Sequence, residues 1–387
     1  MEFAFTPAHE RFREEVQEFC RREVTADLLS EMKEAGEEHH PGFYRKLAER
    51  GWIGLQWPRE YGGRALDNLY TTIFFEEMEY AFAPLGRYRG SVIFVGQSIL
   101  AFGSEEQKRY FLPRLAKGIE IPCFALTNPH AGSDAAAIPD HGVVCMGEYQ
   151  GKQTIGLRLT WEKRYITLGP VATILGLAFR AFDPDHLLGD KEDLGITCAL
   201  IPTNHPGVNI GRRHMPLNAV FQNGPNWGKD VFIPIDWLIG GRPMVGKGWR
   251  MLMECLAAGR AISLPSLSTG MSKMIVRATG GYARVRHQFK TPIGKFEGIE
   301  EALARMGGFL YSMDATHRLL AGAVDLGEKP AVLSAIAKYH LTERGRRIVI
   351  DAMDVAGGKG ICMGPSNFLG AAYMQVPSRS PSRARTS

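Results

Sequence analysis

The chain has 387 residues, 45% hydrophobic and 22% charged, with 46 lysines and arginines against 41 acids for a formal net charge of +5. That composition excludes disordered and collagen-like chains and leaves room for two or three domains. No apolar run reaches the roughly 18 residues of a membrane span, and MEFAFTPAHERFREEV turns acidic where a secretion signal would turn apolar, so a cytoplasmic protein is expected.

Phe12, Val16, Phe19 and Cys20 recur at helical spacing and predict an early helix whose Glu14, Glu15, Arg21 and Arg22 face water. FYRKLAERG predicts a second helix ending at Gly51, and LDNLYTTIFFEEMEYAF a third with an exposed acidic side. From about Cys123 to Asp236, apolar runs such as GVVCM, TIGLRLTW, VATILGLAF, GITCALIP and VFIPI alternate with turn signals, which predicts a β-sandwich or barrel. Helical periodicity returns beyond Lys247, with Pro330 placed to open a helix. The expected fold is mainly α with a β domain: a helical domain over residues 1–122, a small β-barrel over 123–236, a helical bundle over 237–376 and a tail over 377–387.

Six scattered cysteines form no C-x-x-C, and the histidines show no metal-ligand spacing, so neither a disulfide frame nor a metal is expected. Basic residues before the tail are interspersed with acids and lack aromatic interleaving, so no nucleic acid is expected as a partner. Gly241, Gly246 and Lys247 match G-x-x-x-x-G-K, but Gly248 stands where a phosphate loop needs a hydroxyl, so the string reads as a hinge entering a helix. No G-x-G-x-x-G opens a helix, which disfavours nicotinamide binding.

The informative segment is CFALTNPHAGSDAAAIPD, residues 123–140. A strand delivers Thr127, Pro129 and Gly132 bend the chain, and Ser133 and Asp134 are placed to cap the next turn. Its hydroxyls and backbone N–H groups suit a polar, anionic ligand, although spacing alone favours a capped surface turn. In KRYITLG, residues 163–169, Tyr165 and Thr167 stand two apart and would share one face of a strand.

Together these strings resemble the acyl-CoA dehydrogenase family: a threonine before a Pro-x-Ala-Gly-Ser-Asp turn, then an aromatic-Ile-Thr strand. RHQFKTPIGKFEGI at 286–299 and DVAGGKG at 354–360 agree. The resemblance covers about residues 5–376; from about residue 121 on it is greatest to the large bacterial fatty-acyl-CoA dehydrogenases. It implies a dehydrogenase that converts fatty acyl-CoA to trans-2-enoyl-CoA in β-oxidation, with FAD as cofactor and an electron-transfer flavoprotein as acceptor, built as a homodimer or dimer of dimers. It further implies that Leu126 and Thr127 hold the pyrimidine side of the flavin, that Tyr165 lies against the ring system, that Ile166 is a further cofactor-binding residue, and that Thr167 donates to N5. Gly132 and Ser133 would approach the flavin diphosphate or the CoA arm. Arg286, Gly357 and Gly358 would reach the FAD of the neighbouring subunit, and Arg260 the CoA end of the substrate. His130, Lys290 and Glu297 depart from the usual family residues.

The family's catalytic glutamate lies in a Glu-Gly pair beyond the Gly-Gly-x-Gly turn. Here the corresponding stretch is AAYMQVPSRSPSRARTS; no Glu-Gly occurs after Gly298, and Arg383 stands at the aligned place. The last helix of the bundle is also expected to be missing. One possible coding of residues 377–387, read in another frame, spells IAITVEGANI, so a base lost near the Pro377 codon is the expected origin of the tail. Relatives that carry the base directly before the arginine matching Arg260 offer no substitute, because Gly259 occupies that position. The resemblance with its defect therefore implies weak FAD binding and negligible acyl-CoA oxidation; the alternative is a non-catalytic FAD- or acyl-CoA-binding homologue, or one subunit of a hetero-oligomer.

Overall fold

The computed structural model describes residues 5–84, 86–328, 330–364 and 367–378, and omits the side chains of residues 86–91, 93, 218, 256–261 and 378. Helix α1 (Pro7–Glu23) starts where the Thr6 hydroxyl accepts the His9 N–H at 3.3 Å, and it buries Phe12, Val16, Phe19 and Cys20 as the spacing predicts. Helices α2 (Ala26–Ala35), α3 (Pro41–Glu49), α4 (Asn68–Tyr80), α5 (Gly86–Phe102) and α6 (Glu105–Ala116) complete the first domain. Its centre is Trp52, edge-on to Phe12, Phe19 and Phe74.

The acidic side of α4 is not exposed, contrary to expectation: Glu76 and Glu77 are 2% and 7% accessible. Arg13 of α1 lies 3.3 Å from Glu77, and a long helix of the third domain covers the rest of that face.

The β domain is one seven-stranded sheet curled into a half-barrel. It comprises β1 (Pro122–Ala125), β2 (His141–Tyr149), β3 (Lys152–Thr167), β4 (Ile174–Phe182), β5 (Asp193–Pro202), β6 (Asn209–Ile210) and β7 (Asn223–Pro234). β1 and β2 pair in parallel with successive parts of β4, β5 covers its other edge, and β2, β3, β7 and β6 follow antiparallel. Strict alternation along β3 buries Leu157, Leu159, Trp161 and Lys163 on one face. Phe124 of β1 stacks edge-on against Phe94 of α5 at 4.4 Å and ties the sheet to the first domain.

The third domain is built on α7 (Gly248–Val285), α8 (Glu297–Asp325) and α9 (Ala331–Ala356), with short α10 (Gly358–Ile361) and α11 (Phe368–Gln375) after them. Between α7 and α8 a hairpin pairs β8 (His287–Gln288) with β9 (Thr291–Pro292). Pro330 does open α9, and Gly241 and Gly246, both at positive φ, form the hinge into α7. Among the described residues no helix is long and apolar enough to cross a membrane.

Candidate functional site

Residues 123–140 and 163–169 meet at the edge of the sheet. Leu126 and Thr127 leave the end of β1 and run beside the last turn of β3, where the Arg164 N–H donates to the Thr127 carbonyl at 3.0 Å. One residue earlier, Lys163 Nζ donates to the Leu126 carbonyl at 2.9 Å. After Lys163 the β3–β7 register slips by a bulge before Ile166, and Tyr165 sits in the left-handed region at φ 59°. A bulge re-aims the side chains beyond it. Tyr165 is thereby 55% exposed, Ile166 is buried and Thr167 is half-buried. No hydrogen bond from the Thr127 or Thr167 hydroxyl is present among the described residues. An exposed aromatic ring on a strand end that also carries the half-buried Thr167, with the half-buried Thr127 on the segment bonded alongside, is a donor set that fits a flat heteroaromatic ligand carrying polar edges, such as the isoalloxazine of FAD.

Tyr165 is held by two residues that local sequence pattern does not mark. Its ring rests against the imidazole of His214 with centroids 5.4 Å apart, and its carbonyl accepts the Asn223 Nδ2 at 2.9 Å. His214 Nδ1 lies 3.0 Å from Asn223 Oδ1, which closes the set. His214 lies in a loop far along the chain, and only the fold brings it to the tyrosine.

The turn after Thr127 is built differently from expectation. Reciprocal backbone bonds between Asn128 and Ala131 at 3.2 Å close the first bend, and the short helical turn Ala135–Ala137 has no side-chain cap from Asp134, whose carbonyl instead accepts the Ala137 N–H at 3.1 Å. Ser133 is exposed and Gly132 half-buried, both beside this turn.

Arg286, Gly357 and Gly358 form a second group at the far end of the bundle. Arg286 closes α7 and is exposed; its N–H donates to the Tyr282 carbonyl, and the Tyr282 ring receives Lys359 Nζ at 5.6 Å from the turn that holds Gly357 and Gly358. Ala283, Ile293 and Val355 pack the two turns together. Gly357 takes φ 58° and ψ −135°, a conformation that glycine alone adopts freely, and its N–H caps α9 on Met353 and Asp354. It is thus not a free anion donor. No hydrogen bond, ion pair or ring contact joins this group to the Thr127–Thr167 group within one chain, among the described residues. Arg260 lies within α7, but its side chain is outside the described residues, as is Arg383. Glu254, six residues before Arg260, is exposed and paired with Arg250 at 2.7 Å.

A buried polar cluster joins the first and third domains: Glu76, Asp314 and His317 place ligand atoms within 4.8 Å of one another. Lys273 Nζ sits between the acids, 2.5 Å from Glu76 and 2.7 Å from Asp314, so the protein's own ammonium fills the place of a cation.

Three family models match the chain: the acyl-CoA dehydrogenase N-terminal domain over residues 6–119, the middle domain over 123–223 and the C-terminal domain over 246–380. The chain is 30% identical over 370 residues to the probable acyl-CoA dehydrogenase YngJ of Bacillus subtilis (strain 168), covering 93% of this chain and 90% of that protein. It is 65% identical over 98 residues, 25% of its own length, to Protein HemX of Proteus mirabilis, and the match spans 58% of the length of that relative. Its fold resembles the crystal structure of acyl-CoA dehydrogenase from Geobacillus kaustophilus with a TM-score of 0.86 at 22% identity, covering 99% of this chain and 97% of that one.

Proposed function

The chain belongs to the acyl-CoA dehydrogenase family with FAD as its cofactor, and from that premise we propose that it is a fatty-acyl-CoA dehydrogenase whose own sequence supplies no general base. The observation that carries the flavin assignment is the 3.0 Å bond from the Arg164 N–H to the Thr127 carbonyl, which sets the two hydroxyl-bearing segments side by side around Tyr165. FAD, when bound, supplies a two-electron acceptor for the hydride from the acyl β carbon. Thr127 and Thr167 would donate to the polar edge of the ring system, and Tyr165, braced by His214, would cover it. Arg286 and the Gly358 turn would serve the diphosphate of a second subunit's cofactor, and Arg260 the CoA end of the substrate. The partners in this reading are fatty acyl-CoA, an electron-transfer flavoprotein and a second copy of the chain, in a cytoplasmic setting.

The missing part is the carboxylate that would take the α proton. No Asp or Glu follows Asp354 in the sequence. Glu254, the acid nearest in sequence to Arg260, is tied to Arg250. Loss of a general base typically costs about 10²–10⁴-fold in rate. The same observation favours a second reading, a homologue that binds FAD and acyl-CoA without turning over, or one whose partner subunit brings the base. Anaerobic addition of octanoyl-CoA to the FAD-loaded chain separates them: bleaching that proceeds only over hours supports a dehydrogenase without its base, a shifted spectrum that never bleaches supports binding alone, and bleaching within seconds contradicts both.

A further inference from the structure

Among the described residues, the β domain carries one fully buried ion pair. Lys163 Nζ and Asp140 Oδ2 are 2.6 Å apart, with both side chains 0% exposed. Removing two charges from water is costly, and such a pair is retained only where further hydrogen bonds satisfy it. The partners here all belong to the segments around Thr127. Lys163 donates to the Leu126 carbonyl at 2.9 Å. Asp140 Oδ1 accepts the Glu162 N–H at 2.8 Å and the Asn128 Nδ2 at 3.2 Å. Asn128 Nδ2 also reaches the Glu162 carbonyl at 2.9 Å, and its Oδ1 accepts the His130 N–H at 2.8 Å. Every residue from Leu126 to Asn128 is therefore tethered, directly or through one bond, to the end of β3.

We propose that Lys163 and Asp140 are positioning residues for the flavin: the pair fixes the Leu126–Thr127 peptide, and the ammonium polarises it. Leu126 C=O and Thr127 N–H belong to one peptide unit, so an ammonium on the oxygen strengthens the N–H as a donor on its other side. A stronger donor at the pyrimidine edge favours the reduced ring, which carries more negative charge, over the oxidised one. Burial pushes the Lys163 ammonium down; Asp140 opposes that loss of charge and centres the group on Leu126, and Asn128 carries the same constraint to the turn at His130. This role rests on the reading of Leu126 and Thr127 as the flavin's pyrimidine contacts.

The test uses the full chain and FAD itself. Lys163→Met combined with Asp140→Asn removes both charges yet keeps an oxygen for the Glu162 N–H. The expected result is a folded protein that binds FAD roughly 10- to 100-fold more weakly, the worth of one hydrogen bond to a charged group. Its visible flavin bands shift, and its two-electron potential falls by about 30 mV for each tenfold preferential loss of reduced flavin. Asn128→Ala, which leaves the ion pair whole but strands the buried partners of Asn128, is expected to lower the melting temperature of the apoprotein, to weaken FAD binding by a smaller factor and to shift the potential in the same direction; it decides the matter if the double variant does not fold. Wild-type FAD affinity, band positions and potential in either folded variant overturn the proposal. A wild-type chain that takes up no FAD contradicts the flavin reading itself, a result distinct from equal binding by wild type and variant.

Discussion

His317 Nε2 faces Glu76 Oε2 at 3.4 Å inside the contact between the first and third domains, and both side chains are buried. The Thr269 hydroxyl donates to the Pro265 carbonyl at 2.9 Å and so accepts from His317 Nδ1 at 3.1 Å. That leaves the Nε2 lone pair toward the carboxylate, with no hydrogen bond formed by either atom. Burial outweighs the attraction of Glu76 and Asp314 and pushes His317 down to about 4.

This arrangement predicts an acid-labile domain contact. Below pH 6.5 the unfolded chain takes up a proton on His317 that the folded chain refuses until about pH 4. Stability contributed by the neutral ring is therefore complete above pH 6.5 and lost as pH falls toward 4, by up to about 3 kcal/mol. His317→Gln should flatten this part of the curve. Urea midpoints of wild type and variant that fall in parallel between pH 7 and 4 would remove the assignment.

Gly270 lets α7 lie on α4. A Cβ there would come 2.3 Å from the Glu76 carbonyl, a backbone atom that cannot swing away. Gly270→Ala should cost about 1–3 kcal/mol, as overpacking does, despite alanine's better helix propensity. Gly280→Ala on the same helix, where a Cβ meets nothing, should be neutral or stabilising. Chemical denaturation of the two variants checks the contrast.

The hairpin between α7 and α8 turns on Phe289 and Lys290, at φ 50° and 63°. A two-residue turn with both residues left-handed prefers Asn-Gly. Lys290→Gly is therefore expected to stabilise the protein by about 0.5–1 kcal/mol, since the strain relieved exceeds the added chain entropy. A lower melting temperature for this variant would show that the lysine makes a compensating contact.

Among the described residues, the hydroxyl of Thr167 has no intrachain hydrogen bond to lose. Thr167→Ala should leave the melting temperature of the apoprotein unchanged and weaken FAD binding by roughly 5- to 10-fold, the net value of one neutral hydrogen bond. Equal FAD affinity in wild type and variant would place the ring system elsewhere.

The first helix, the order of domains and the hinge at Gly241–Gly246 were legible because apolar spacing and turn residues report local geometry directly. The burial of Glu76 and Glu77 was not, because it depends on α7, which lies far along the chain. Lys163 carried a signal of its own: alternation along β3 places it on the face of Leu157, Leu159 and Trp161. The partner that makes its burial tolerable, Asp140, lies 23 residues earlier in the chain, and period alone does not supply it. Leu126, Thr127, Tyr165 and Thr167 were legible as strings, while the bulge that turns Tyr165 outward depends on pairing with β7. His214 and Asn223 had no local mark at all.

The central claim is a flavin site around Thr127 and Tyr165 in a chain without its own base. Its most direct test is an anaerobic titration of the FAD-loaded full chain with palmitoyl-CoA, followed at the visible flavin bands. The account predicts a saturable shift of the bands with negligible bleaching over minutes. Complete bleaching within seconds, without any added partner, would contradict it.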